Sequence, residues 1–170
     1  WVGTPATIQE GMRKDIQQWI DILHKAVDIP DVNIFGMFIA IKIGFSPMTK
    51  FGHHISQQPP SISKEIAEDI TIHIQRAMET LTGVEQGTIA DSPTDQATTL
   101  RFHSPTSQGG LGISSPAYET RSSFPADFIN TLPILKNNKI VGKHIRRFSE
   151  WKRSQSATLR DAHRTITQMA

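Results

Sequence analysis

The chain has 170 residues, no cysteine and a formal net charge of +2. This length predicts one domain, or one domain with a small appendage. The absence of cysteine excludes a disulfide framework and a thiolate metal site, and it fits a reducing compartment. No apolar run reaches the roughly 20 residues that a membrane span needs, and no signal-peptide pattern opens the chain. We therefore expect an intracellular protein without a membrane partner, in the nucleus, the cytoplasm or an organelle.

The charge is divided unevenly along the chain. Residues 1–135 carry nine Lys and Arg against fourteen Asp and Glu, a net charge of −5. Residues 136–170 carry nine Lys and Arg against two Asp and Glu, a net charge of +7. Such asymmetry is typical of a polyanion-binding tail on an acidic body, although a solvated helix face would also account for it. We expect the C-terminal section to contact nucleic acid.

The first third of the chain predicts two helices. Thr7 and Glu10 have the spacing of a capping box, which predicts a helix over about residues 8–27. Its apolar stripe consists of Met12, Ile16, Trp19, Ile20, Leu23 and Val27. Ile29-Pro30-Asp31 ends this helix. Residues 33–45 are apolar on every side except at Lys42, so this segment is expected to be buried all round. Strand and helix both fit its pattern, and we favour a helix because no partner strand is evident nearby.

The middle of the chain predicts a short helix and a long one. Ser46-Pro47 begins the short helix, which ends at Pro59-Pro60. Ser61 or Ser63 then caps the long helix, which ends before Gly83. The stripe of the long helix consists of Ile66, Ile70, Ile74, Ala77, Met78 and Leu81. Residues 84–99 are polar and loop-like, with a second capping box at 92–95.

Three glycines within four residues predict a tight turn at Gln108–Ile113. Only glycine enters positive φ freely, so Gly109, Gly110 and Gly112 are assigned to shaping this structural turn, with Leu111 between them. Leu111 and Ile113 are two residues apart, so an extended backbone would direct both into one apolar surface. No Lys-Ser or Lys-Thr follows, and the glycine spacing does not fit a dinucleotide site. Nucleotide binding is therefore not expected here.

The C-terminal part completes an all-α pattern. Ser115-Pro116 and Phe124-Pro125 each begin a helical segment across residues 115–135, and residues 136–147 form a basic connector. A last helical stripe contains Phe148, Trp151, Leu159, Ala162, Ile166 and Met169. The expected fold is a compact bundle of about six or seven helices. Three units are expected: a helical bundle (1–83), a loop, turn and connector helices (84–135), and a basic linker and helix (136–170).

The residue pattern indicates no active site in this chain. Asp28 and Asp31 flank a helix-ending proline, and acidic residues at 65, 68 and 69 suit the first turns of a helix. His53 and His54 are adjacent, so on a helix they diverge by about 100° and do not share one ion easily. Neither a His-Glu-x-x-His zinc pattern nor a Gly-x-Ser-x-Gly nucleophile elbow is present. We expect no catalytic residue, no metal and no cofactor here.

The basic section is the best binding candidate. Arg and Lys neutralise phosphates, and an exposed tryptophan can stack on a base. Trp151 either stacks in this way or packs in the core, and its place on the apolar stripe favours the core. The expected nucleic-acid-binding residues are Lys143, Arg146, Arg147, Lys152, Arg153, Arg160 and Arg164.

Five motifs in order resemble the region that follows the palm in non-LTR retrotransposon reverse transcriptases. Val2-Gly3-Thr4-Pro5 is similar to an opening Leu-Gly-x-Pro motif, and Ile29-Pro30-Asp31 to a Leu-Pro-Asp helix ending. A short helix ending in Pro59-Pro60 follows. The segment 77–83 then matches Ala-Leu-x-x-Leu-x-Gly, and Leu100–Ile113 matches a Leu-Pro-x-x-x-Gly-Gly-Leu-Gly landmark. The resemblance covers about residues 1–135.

The resemblance implies a thumb and the start of a connector, which hold the duplex of template and growing strand beside the palm. The family is an RNA-directed DNA polymerase, whose Asp-Asp pair and Mg²⁺ ions belong to the palm upstream. The chain begins at Trp1 in mid-pattern, so we expect it to be a piece of a longer protein. The expected partners are RNA or an RNA–DNA hybrid, together with the remainder of the polymerase or a larger assembly.

Departures from the family pattern keep a second function open. The family usually carries an Arg before its Pro-Pro, where this chain has Ser56-Gln57-Gln58. The Leu-Pro before the glycines is replaced, and Ala6 stands where the second Gly of the opening motif is expected. These departures fit a domesticated scaffold subunit of a ribonucleoprotein without polymerase activity. A helical adaptor with a coincidental resemblance is the third alternative.

Overall fold

A computed structural model describes residues 4–45, 55, 58–91, 97–139, 141–143, 145, 147–154 and 157–169. In this described part all regular structure is helical, which confirms the all-α class. The α-helices are α1 (Pro5–Val27), α2 (Ile34–Gly44), α3 (Pro60–Thr82), α4 (Ala97–His103), α5 (Pro116–Asn137), α6 (Phe148–Trp151) and α7 (Ala157–Met169). Single 3-10 turns occupy Thr106–Gln108 and Val141–Lys143. None of the described helices combines the length and apolar character of a transmembrane segment.

Helix α1 begins three residues earlier than the sequence predicts. Thr4 is the N-cap, and its hydroxyl accepts the Thr7 backbone N–H at 3.3 Å. Pro5 follows at the first helical position, where its missing N–H is not needed. The capping box at Thr7 and Glu10 is therefore wrong. The predicted stripe is confirmed: all its members are buried except Trp19, which is partly buried and packs edge-on against Phe45.

Helix α3 also begins differently from the prediction. Its N-cap is Pro59, so Ser61 and Ser63 lie inside the helix and neither is the cap. The Ser63 hydroxyl instead turns back and donates to the Pro59 carbonyl at 3.3 Å. At the other end Gly83 adopts a φ of 68°, which closes the helix as the sequence predicts. The predicted α3 stripe is buried throughout.

A buried carboxylate organises the loop after α3. Glu79 is fully buried, and its oxygens accept backbone N–H groups from Gly87 at 3.0 Å, Ile89 at 2.5 Å and Ala90 at 2.9 Å. These hydrogen bonds replace the water that the carboxylate loses on burial. The polar loop is thereby attached to the core through one side chain.

Helix α2 is not buried all round, which corrects the prediction. Of its apolar residues only Ile41 is buried, and Phe35 is 73% exposed. Ile34, Ile39 and Ile43 are also exposed. Among the described elements α1 and α3 pack against α2, and the Lys42 ammonium group donates to the Leu111 carbonyl at 3.0 Å, yet much of the helix surface stays exposed. A uniformly apolar helix is buried all round only where other elements surround it. The sequence of α2 does not specify which elements pack against it.

Helix α5 is one helix where the sequence predicts two segments. Pro125 and Pro133 both lie inside it, each removing one backbone N–H donor without ending the helix. Pro125 is itself among the most deeply buried side chains. Most of the short helix predicted between Ser46-Pro47 and Pro59-Pro60, and the capping box at 92–95, lie outside the described residues. Ile55 is described and is buried.

The apolar side chains form two clusters. The larger joins α1, α2, α3 and α4, and Phe102 and Ile113 belong to it. The smaller joins α5 to the C-terminal section through Phe124, Phe128, Trp151, Leu159 and Ala162, with Ile145 among them. The basic residues are therefore attached to a packed core of their own.

Candidate nucleic-acid interface

Three lysines surround an open depression where α5 ends. Lys136, Lys139 and Lys143 line a space of about 600 Å³, together with Asn137, Asn138 and Gly142. All three lysines are exposed, and within the described part of the chain none of them forms an ion pair. The depression therefore combines a triple positive charge with open access.

A close backbone contact holds this depression in shape. The Gly142 N–H donates to the Asn138 carbonyl at 2.8 Å. A Cβ atom at Gly142 would lie only 2.2 Å from the Lys136 carbonyl oxygen. Only glycine allows this approach, so the turn folds back over the helix end and brings Lys143 beside Lys136.

The expected arginines and lysines around α6 are only partly available. Arg147 is exposed and lies 3.7 Å from Glu150, a weak surface ion pair. Lys152 and Arg153 are exposed and have no ion pair among the described residues. Arg146 lies outside the described residues.

The two arginines of α7 are engaged locally. Arg160 donates from Nη1 to the Ser154 carbonyl at 2.6 Å, which ties α7 to the preceding turn. Arg164 lies 3.9 Å from Asp161. The side chains of Arg160 and Arg164 remain exposed, but each already makes a contact within the C-terminal section. Lys143, Lys152 and Arg153 are the better candidates among the residues that the sequence indicates.

The aromatic residues divide between core and surface. Trp151 is 3% exposed and packs edge-on against Phe128, with ring centroids 5.4 Å apart, so the core alternative is correct. Phe148 is 43% exposed and stacks on His163 at 4.6 Å. Of the two, Phe148 is therefore the ring that a base can reach.

Sequence reasoning missed Lys136 and Lys139 as site residues. Both belong to the charge excess of residues 136–170, but basic residues near the C-terminal end of a helix also complement its dipole, which is a structural explanation for them. The sequence signal for them is the spacing of lysines at 136, 139 and 143, which runs from the end of a helix into a turn that contains a glycine. That turn alone makes the three lysines neighbours.

The glycine turn at 108–113 is tightly bonded to α4. Gly109 and Gly112 have φ values of 79° and 64°. Gly112 N–H donates to the Ser104 carbonyl at 2.8 Å, and Leu111 N–H to the Arg101 carbonyl at 3.0 Å. Ile113 is buried, but Leu111 is exposed, so the expectation that both enter one apolar surface is wrong. The left-handed backbone of Gly112, with its φ of 64°, breaks the alternation that an extended strand would have between them.

Among the described residues no three His, Asp or Glu side chains form a metal-binding group. His53 and His54 lie outside the described part. No protein-family model, curated protein or solved structure matches this chain. The charge and geometry of the basic surface are therefore the observations that bear on function.

Proposed function

We propose that this protein holds a nucleic-acid duplex through phosphate contacts made by its basic C-terminal section. The observation that carries the proposal is the depression ringed by Lys136, Lys139 and Lys143. Lysine ammonium groups act as mobile point charges that match phosphate oxygens without a fixed geometry. Lys152 and Arg153 add exposed positive charge later in the chain, and the whole section 136–170 has a net charge of +7.

The resemblance to the reverse transcriptase thumb and connector supports a more specific form of this proposal. The chain would be the non-catalytic part of a retrotransposon-type polymerase, holding an RNA–DNA hybrid or RNA duplex for a palm located elsewhere. Mg²⁺ would be bound by that palm. An intracellular setting, in nucleus, cytoplasm or organelle, accompanies this function. The all-α fold and the order of the five motifs agree with it.

The test is a salt titration of binding, followed by fluorescence anisotropy with an RNA–DNA hybrid, a DNA duplex and single-stranded RNA. Each neutralised phosphate contributes about −0.9 to the slope of log K against log salt for a duplex. The variant K136Q/K139Q/K143Q should therefore lose about 2 to 3 units of slope. The hybrid is expected to bind at least as tightly as the DNA duplex.

A matched control variant tests whether binding depends on the position of these lysines or on the total charge of the chain. K14Q/K25Q/K64Q removes the same charge from exposed lysines of α1 and α3. This control should leave the slope nearly unchanged. Equal losses in both variants would mean that net charge alone drives binding, and absence of binding at low salt would contradict the proposal outright.

A scaffold function is the second candidate, because α2 presents Ile34, Phe35 and Ile43 to solvent. Contiguous exposed apolar surface often marks a protein interaction site. The chain would then be a structural subunit of a larger protein or ribonucleoprotein assembly. Failure of the wild-type chain to bind any of the three nucleic acids would make this the leading proposal.

A further inference from the structure

A second concave site lies far along α5 from the basic depression, between α3, α4 and the first turn of α5. This cavity has a volume of about 310 Å³. Its polar wall includes Thr71, Gln75, Thr99, His103, Ser115 and Tyr118. Four of these, at 71, 75, 99 and 115, are buried, whereas Tyr118 is exposed and forms part of the rim.

The hydrogen bonds of His103 show which polar groups of the cavity are already paired within the protein. His103 Nδ1 lies 2.8 Å from the Ile113 carbonyl oxygen, which can only accept, so Nδ1 carries the proton. His103 Nε2 then accepts from the Gln75 side-chain amide nitrogen at 3.1 Å. Burial lowers the pKa of His103, in keeping with this neutral form. The Gln75 carbonyl oxygen is left without a hydrogen bond in the described part of the chain.

The Thr99 hydroxyl is the second polar group of the cavity that has no hydrogen bond in the described structure. Thr99 itself is 2% exposed. Thr71 and Ser115 differ, because their hydroxyls lie 3.3 Å apart and Thr71 donates to the Ala67 carbonyl at 2.8 Å. Buried hydroxyls in folded proteins are nearly always paired, so the Thr99 hydroxyl is a feature that requires a partner.

The charge of the cavity selects against anions. Glu68 is the charged residue of its described lining, and no Lys or Arg lines it there. The N-terminus of α5 adds little attraction, since Pro116 has no N–H and the Ala117 N–H donates to Thr71 at 3.2 Å. Glu68 lies 3.8 Å from Lys64, but that exposed ion pair is weak and Lys64 does not line the cavity, so a phosphate or carboxylate there would face the Glu68 carboxylate.

We propose that this cavity binds one uncharged nucleobase, either as a free nucleoside or as an unpaired base of a strand. A base has a planar face for the ring of Tyr118 and an edge with donors and acceptors for Gln75 and Thr99. The volume lies at the low end of the roughly 300–1,000 Å³ range of ligand pockets, which suits one nucleoside. The site stands independently of the duplex-binding section.

The test is an NMR titration of the full chain with adenosine, guanosine, cytidine and uridine, with their 5′-monophosphates, and with short single-stranded RNAs. At least one nucleoside should give saturable shifts of the Gln75 side-chain amide in the millimolar range. Its monophosphate should bind several-fold more weakly, and E68Q should reduce that difference. A preference for the short RNAs would assign the base to a strand.

Two threonine variants provide the matched comparison. T99V keeps the shape of the side chain and should weaken nucleoside binding about tenfold, the value of one good hydrogen bond. T131V, on the exposed face of α5, should leave binding unchanged. No saturable shift with any base, equal effects of the two variants, or a monophosphate that binds as tightly as its nucleoside would each overturn the proposal.

Discussion

Asp161 of α7 caps helix α3 by bonding to Ser61, which lies 100 residues earlier in the chain. The Asp161 carboxylate accepts the Ser61 backbone N–H at 3.3 Å and also the Ser61 hydroxyl. Helix N-termini have unpaired N–H groups and favour negative charge. Pro59, the N-cap of α3, has no side-chain atom that can accept a hydrogen bond from these N–H groups. A residue of the C-terminal section therefore completes a helix of the larger cluster.

Replacing Asp161 by alanine should lower the free energy of unfolding by about 1 to 2 kcal/mol, the range for loss of a helix cap. Chemical denaturation measures the change. Asp161 also lies 3.9 Å from Arg164, so R164Q is the matched control. R164Q should have little effect, because Arg164 is largely exposed and its guanidinium lies 3.9 Å from the buried Asp161 carboxylate, at the limit of an ion pair. A loss in R164Q as large as that in D161A would assign the effect to the ion pair instead.

The variant E79Q should loosen the loop after α3 and lower the free energy of unfolding by about 1 to 3 kcal/mol. Burial alone would raise the pKa of Glu79, but hydrogen bonds from Ala90, Gly87 and Ile89, with Arg76 nearby, lower it below its usual value. The stabilisation is thus present above the unfolded pKa of about 4.3 and is lost as pH falls toward the folded pKa.

Hydrogen exchange locates the effect of E79Q. The amides of residues 87, 89 and 90 should lose protection in E79Q at neutral pH, because an amide side chain is a weaker acceptor than a carboxylate. E85Q changes an exposed carboxyl in the same loop and should leave these amides protected. Unchanged protection in E79Q would contradict the structural role of this carboxylate.

Stability should fall as pH decreases below about 6.5, the unfolded pKa of histidine. Burial, together with His24 and Arg76, lowers the pKa of His73, and burial lowers the pKa of His103. The unfolded state therefore binds more protons than the folded state between the folded pKa values and about 6.5, so stability rises with pH in that window. Denaturation between about pH 5.5 and pH 8 measures the slope.

His73 accounts for part of this slope. Its ring nitrogen lies 3.1 Å from that of His24, between α1 and α3, and this neighbour adds to the effect of burial in lowering the pKa of His73. H24Q/H73Q should flatten the pH dependence without abolishing it, since His103 remains. H163Q, on the exposed side of the smaller cluster, is the control. Identical slopes in the double variant and the wild-type chain would contradict this origin.

The glycines of the turn at 108–113 should differ in their tolerance of alanine. A Cβ at Gly110 would lie 2.1 Å from the Ser104 carbonyl oxygen, so G110A must displace backbone. Gly109 has a φ of 79° but open space around it, so G109A has only conformational strain of about 1 kcal/mol. We expect G110A to cost about 2 to 3 kcal/mol. G44A, in a helix with open space, should be neutral or stabilising. A smaller loss in G110A than in G109A would contradict the close approach.

Helical class and the main apolar stripes could be predicted because they depend on local spacing. The stripes of α1 and α3 have a period that matches one helix face, and both are buried. The end of α1 after Val27 and the left-handed Gly83 follow from proline and glycine chemistry at single positions. The charge excess after residue 135 is likewise a property of composition.

The predictions failed where the burial or the capping of a helix depends on a residue that is distant in sequence. The uniform apolarity of α2 does not specify which edge of that helix is covered. Pro125 is typical of a boundary between two helical segments, yet it lies inside α5 with its ring buried. The cap of α3 comes from Asp161, which no pattern near Pro59 could indicate.

The sequence by itself determined that this protein is helical, where most of its apolar stripes lie, and that its C-terminal section is positive. These follow from backbone chemistry and residue spacing, which act over a few residues. Only the tertiary structure decided that Lys136, Lys139 and Lys143 share one depression, that Trp151 is buried, and that Thr99 lines a polar cavity. Those arrangements depend on contacts between distant segments, whose free energies local sequence does not specify.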